Sequence, residues 1–117
     1  MDFLNRILRQ NAETRATIVG DEVIFCRDDD EIRLPCVDII EVIAFARDDL
    51  SLDTLGIALV TANSATTFTE DVKDFSEVFI ELGARLGFDG EGILRRIHAR
   101  QISSPLSEWR ECIWKRN

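Results

Sequence analysis

At 117 residues the chain has the size of one domain. Its 45% hydrophobic content provides a core without help from disulfides or a metal, and with 31% charged residues it is not the composition of a disordered chain. The net charge of −8 opposes contact with nucleic-acid phosphates and anionic lipid and favours basic partners, and no run approaches the roughly 18 apolar residues of a membrane-spanning helix.

Phe3, Leu4, Ile7 and Leu8 stand at helical spacing and predict a short amphipathic helix over residues 2–10. The opening Met-Asp-Phe-Leu-Asn-Arg has no basic region followed by an apolar stretch, so no signal peptide is expected. Strand-like runs follow at 14–19 and 22–27, separated by Gly20-Asp21. The run Asp28-Asp29-Asp30-Glu31 reads as the four-residue tip of a hairpin that returns through 32–36. That register opposes Phe25 to Leu34 and Val23 to Cys36, and collects Val23, Phe25, Ile32, Leu34 and Cys36 on one face. Pro35 falls at the end of its strand, where a missing donor matters least.

Residues 38–46 form a longer run with Ile39, Ile43 and Phe45 expected on one side, followed by a polar loop over 47–54. Leu55 to Thr61 is almost entirely apolar and reads as a central strand. Ala62-Asn63-Ser64 makes a turn, and 65–69 returns as a β-branched strand. The period then changes from two to 3.6. Phe75, Val78, Phe79, Leu82 and Leu86 form one apolar stripe, with Glu81 and Arg85 paired on the polar side. Asp71 or Asp74 is expected to cap this helix and Gly87 to end it. Asp89 is placed to cap a second helix through Ile93, Leu94 and Ile97, which Ser103-Ser104-Pro105 breaks. The segment 108–115, carrying Trp109 and Trp114, has strand character.

Charge is unevenly distributed along this order. Residues 21–53 hold eleven acids against three arginines, a balance of −8 that equals the net charge of the whole chain. Residues 91–117 hold six bases against three acids, or +3. Acidic loops of this kind either recognise a basic partner or simply keep a small protein in solution.

The inventory for acid–base or nucleophilic chemistry is short: one histidine, no tyrosine, and no glycine-rich phosphate loop, nucleophile elbow or Cys-x-x-Cys. Cys26 or Cys112 with His98 is the conceivable thiolate–imidazole pair, set against a reading of Cys26 as a sheet residue and His98 as a solvated helix residue. Cys26, Cys36, Cys112 and His98 match a zinc site in number but not in spacing. The 28–31 run offers hard oxygens for calcium or magnesium without the alternation and glycine of an EF-hand loop. Asp49 and Asp53 are the nearest thing to a glycosidase-like carboxylate pair. Arg95, Arg96 and Arg100 read as a solvated helix face, or else as a contact for phosphate or an acidic partner. Three cysteines, odd in number and inside apolar runs, point to reduced, buried thiols in a reducing compartment and so to the cytoplasm.

The segment Ile39-Ile40-Glu41-Val42 leads to the acidic stretch Asp48-Asp49 to Asp53, then to the apolar strand Leu55 to Val60 and to Thr69-Glu70-Asp71 before the Phe75 to Leu82 helix. Over residues 14–87 this order resembles small bacterial domains of the pleckstrin-homology-like type, in particular uncharacterised and toxin-immunity proteins of that build. Val37 stands where such domains often have tryptophan. The basic strand-loop cluster of the lipid-binding members is absent, so the resemblance implies no phosphoinositide site. It also implies no catalytic residues.

The expected fold is therefore a single α+β domain over 1–117. It comprises an antiparallel meander of six to seven strands in a partly open sheet or barrel, C-terminal amphipathic helices packed on it, and a short N-terminal helix. The expected function is non-catalytic protein binding in a bacterial cytoplasm, in the manner of an immunity-type protein that neutralises a basic partner such as a toxin. Asp28, Asp29, Asp30, Glu31, Asp48, Asp49 and Asp53 would form the partner-binding set. Neither cofactor nor metal is expected, and neither nucleic acid nor membrane as partner. The alternatives are a structural or homo-oligomerising domain that uses apolar strand edges or the Trp109–Trp114 segment, and an unrecognised enzyme.

Overall fold

The computed structural model describes residues 15–27, 30–49, 52–70, 72, 74–103 and 108–117. The expected helix over 2–10 lies outside them, as do Asp28, Asp29 and Asp71.

Strands β1 (Arg15–Val19), β2 (Glu22–Arg27) and β3 (Asp30–Pro35) form an antiparallel sheet in that order. The β1–β2 turn is tight, and Gly20 takes φ 60°, in the left-handed region open to glycine. Phe25 pairs with Ile32, Val23 with Leu34 and Arg27 with Asp30. The connection is thus residues 28–29, and the expected register is off by two. A shift of two preserves side-chain parity, so Val23, Phe25 and Leu34 still share the buried face. Alternation of period two cannot separate the two registers. Two-residue connections, whose twist matches that of the strands, are the commoner solution. Cys36 consequently leaves the strand: its N–H reaches Asp21 O at 2.7 Å, and the chain turns into a 3₁₀ segment, Cys36–Asp38.

This turn divides the meander. Pro35 offers no N–H to extend the ladder. Ile39 is then fully buried, and Ile40 N–H starts a new sheet by donating to Val60 O at 2.8 Å. Strands β4 (Glu41–Asp49), β5 (Leu52–Val60), β6 (Ala65–Thr69) and β7 (Trp109–Lys115) form a second antiparallel sheet in the order β6-β5-β4-β7. The expected single sheet or barrel is instead two open sheets, of three and four strands.

Two further expectations are corrected in this sheet. Most of the polar loop placed at 47–54 is strand, because the β4–β5 ladder continues through Arg47–Thr54, Asp48–Asp53 and Asp49–Leu52. Backbone pairing does not require apolar side chains, so the end of the hydrophobic pattern understated the strand. The core side of β4 is Val42, Ala44 and Ala46, whereas Ile43 and Phe45 face the other way. Ile39 lies before the strand, past the 3₁₀ turn, so counting by twos from it picks the wrong face.

Helices α1 (Phe75–Leu86) and α2 (Gly90–Ser103) follow β6. The α1 stripe packs inward as expected, with Phe79 and Leu82 fully buried. Rings link the layers: Phe25 of the first sheet lies 5.4 Å from Phe68 of the second, Phe68 lies 5.4 Å from Phe75, and Phe79 lies 5.3 Å from Phe88. Gly87 closes α1 at φ 98°, its N–H on Gly83 O, as its position predicts. Asp74 precedes α1 but makes no side-chain cap. Asp89 does cap α2: its Oδ1 accepts the Gly92 N–H at 3.1 Å.

Candidate functional site

Both acidic hairpins run away from the connector at 36–40, so each carries its acidic turn at the far end of its ladder. In the first, Asp30 and Glu31 are exposed on β3. Glu31 is not a free carboxylate, since Arg33 Nε donates to its Oε2 at 3.0 Å while Arg33 Nη1 reaches Glu22 at 3.3 Å. In the second, the register sets Asp48 directly opposite Asp53, with Asp49 one step nearer the turn. Asp28 and Asp29 lie outside the described residues. The fold brings each acidic group together within its own hairpin, and no group of three metal-ligating side chains forms among the described residues.

A second surface was not anticipated. The side of the four-stranded sheet that bears Ile43 and Phe45 carries a shallow groove of about 570 Å³, crossed by Thr67, Ala58, Ile43, Phe45 and Arg110 and bounded by Trp109. The Phe45 ring lies over Gly56 of the adjacent strand, where a Cβ would collide with it. The sequence did carry a signal for this groove. Val42-Ile43-Ala44-Phe45-Ala46 is apolar at both parities, the mark of a strand with two sheltered faces. The indole Nε1 of Trp109 is buried with no hydrogen-bond partner among the described residues, and the Arg100 guanidinium sits over its ring at 4.4 Å.

Three basic residues of the C-terminal third hold other elements of the fold. Arg96 and Arg100 both bind Glu111, at 2.5 and 3.0 Å, fastening α2 to β7. Arg116 donates to Ile39 O at 3.0 Å and Cys36 O at 3.1 Å, and its guanidinium lies 5.1 Å from the Trp114 ring centre. The Arg95–Glu91 contact is a loose helical pair at 3.9 Å. The arginine face of α2 is therefore not wholly a solvated face, because Arg96 and Arg100 are engaged with β7.

The cysteines and His98 do not assemble. Cys36 is buried, Cys26 half-buried and Cys112 exposed, all unpaired, so the expectation of three buried thiols holds only for Cys36. His98 Nε2 lies 3.8 Å from Glu70, whereas Cys112 donates to Trp114 O at 3.5 Å and sits beside Glu41. Burial pushes the Cys36 thiol up. Partial desolvation, and then a hydrogen bond with Glu41, pushes up that of Cys112, which leaves it a poor nucleophile at neutral pH.

No protein-family model, curated protein or solved structure matches this chain. Among the described residues no helix is long and apolar enough to cross a membrane.

Proposed function

We propose that this chain is a non-catalytic protein-binding module of the bacterial cytoplasm that presents its two acidic hairpin ends to a basic partner, in the manner of a pleckstrin-homology-like immunity protein. The observation that carries the reading is the β4–β5 register, which opposes Asp48 to Asp53. Like charges directly opposite across a ladder destabilise the free chain. A cation from a partner placed between them removes that cost, so association recovers what folding gave up. The neighbouring strand ends add Asp49 and, in the first sheet, Asp30 with Asp28 and Asp29 beyond it. The contrast with Arg96, Arg100 and Arg116, which are engaged by groups of the fold, supports the same reading.

The test is a comparison between the native chain and a variant with Asp28, Asp29, Asp30, Asp48, Asp49 and Asp53 all changed to asparagine. Each is immobilised and exposed to extract of the host cell at low salt. The native chain should retain a protein with a basic surface that is released as salt shortens the Debye length from about 10 Å to about 3 Å, and the variant should not retain it. Retention of the same proteins by both chains, unaffected by salt, rules the reading out.

A further inference from the structure

Among the described residues the two open sheets leave four edge strands, and three of them carry devices that discourage further pairing. β3 bears exposed Asp30, Glu31 and Arg33 and ends in Pro35. β7 bears Arg110, Glu111 and Lys115, and its pairing with β4 is interrupted by a bulge at Val42/Ile43. β1 starts at Arg15 and runs beside α1, whose Arg85 holds the β1–β2 turn through Gly20 O and Asp21. β6 has none of these. Its sequence, Ala-Thr-Thr-Phe-Thr, has no charge and no proline, and its register with β5 is regular.

Hydrogen bonds just outside β6 show which of its groups face outward. Glu70 N–H donates to Leu55 O and Thr61 N–H to Ser64 O, both at 2.9 Å, and both pairs belong to the β5–β6 register. Bonded and non-bonded pairs alternate along an antiparallel ladder, so Thr66 and Phe68 bond to β5 between those two points. The N–H groups of Ala65, Thr67 and Thr69, and the carbonyls of Ala65 and Thr67, therefore point away from β5, towards the side where no described strand pairs. The Thr69 carbonyl is taken by Val72 N–H at 2.9 Å.

We infer that β6 is a self-association edge, and that its occupant is β6 of a second copy of this chain, antiparallel, with the two-fold axis at Thr67. In that register Thr67 meets Thr67 of the second copy as a hydrogen-bonded pair, and each Thr69 N–H meets the Ala65 carbonyl opposite. Four hydrogen bonds then use groups that have no partner among the described residues. The register pairs odd residues with odd, so Thr66 and Phe68 stay on the core side in both copies and the two grooves adjoin on one face of an eight-stranded sheet. A second copy is the favoured occupant because the pairing is neutral. In a molecule of net charge −8, this edge brings no two like charges into register, and it sets threonine against threonine, a favourable cross-strand pair. This inference is independent of the acidic hairpin reading.

Three chains at micromolar concentration test it by sedimentation: the native chain, Thr67→Lys and Thr67→Cys. The native chain should sediment as a concentration-dependent dimer. Thr67 is exposed, so lysine costs the single chain little, but in the dimer two lysines oppose each other on the axis. Thr67→Lys should raise the dimer dissociation constant by about tenfold or more at an unchanged melting temperature of the dilute protein. Thr67→Cys should form a covalent dimer on mild oxidation well above the background from Cys26 and Cys112, because Cα atoms of a hydrogen-bonded antiparallel pair stand about 5.5 Å apart, within disulfide range. A native chain that stays monomeric overturns the inference. So does a dimer that tolerates Thr67→Lys while Thr67→Cys gives no extra cross-link.

Discussion

The C-terminal third and the acidic hairpin ends carry charge of opposite sign and use it in opposite ways. Arg96, Arg100 and Arg116 turn back onto the fold, where they hold Glu111 and the carbonyls of Cys36 and Ile39. The second hairpin places Asp48 against Asp53 in its register, and in the first Glu31 is held by Arg33. Three arginines of the basic third are therefore structural despite its net positive charge, while the second hairpin sets two acidic positions opposite each other in its ladder. Charge counted along a sequence does not distinguish these two uses. Pairing geometry does.

Substitutions can break or sharpen that contrast. The largest effect sets the scale for a group fully inside the fold: Phe79→Ala should lower the unfolding free energy by roughly 3–5 kcal/mol in denaturant titration. Exposed Glu77→Ala on the same helix should change it by no more than about 0.5 kcal/mol. Comparable losses at both positions would mean that the face of α1 is misassigned.

Arg116→Ala comes next. It removes donors from two carbonyls at the junction between the sheets and should cost about 1–2 kcal/mol. An unchanged midpoint would show that these two hydrogen bonds contribute nothing to the junction.

A smaller, pH-dependent effect belongs to Cys36. Its folded-state thiol titrates above the ordinary value of 9.0 because it is buried. The unfolded chain therefore loses this proton first as pH rises. The stability associated with the neutral thiol is fully present below that ordinary value and is lost as pH climbs towards the folded-state value. Unfolding curves of the native chain and Cys36→Ala should accordingly converge above pH 9, and a constant gap across that range contradicts the assignment.

The smallest effect bears most directly on the contrast. Asp48→Asn should raise stability by a few tenths of a kcal/mol, since it removes one of two opposed charges. The gain should fade at high salt, where the opposition is already screened. A loss of stability would mean that Asp48 has an internal partner and that the hairpin end is not held in readiness for an outside cation.

Much of the fold was legible where local periodicity and burial agree. The α1 stripe from Phe75 to Leu86, the Gly87 stop, the Asp89 cap and the apolar run of β5 each depend on neighbours within a few residues. The groove was half legible, because Val42 to Ala46 is apolar at both parities but nothing local says which parity meets the helices. The acidic positions were legible as composition only. That Asp48 faces Asp53, and that Glu31 is held by Arg33, are facts of register.

The amino-acid sequence alone determined the class of elements, the buried stripe of the first helix, the excess of acid in the first half and the turn chemistry at Gly20 and Gly87. Side-chain periodicity and backbone propensity act over one or two turns of chain, within reach of the residues that encode them. Only the tertiary structure decided that the meander splits at Cys36–Asp38 into two sheets, that the hairpin closes two residues tighter than its pattern requires, and that β7 returns to pair with β4. Registers that differ by two residues look identical to a period-two pattern. The choice of a strand's partner depends on which edge lies open once the rest of the chain is packed.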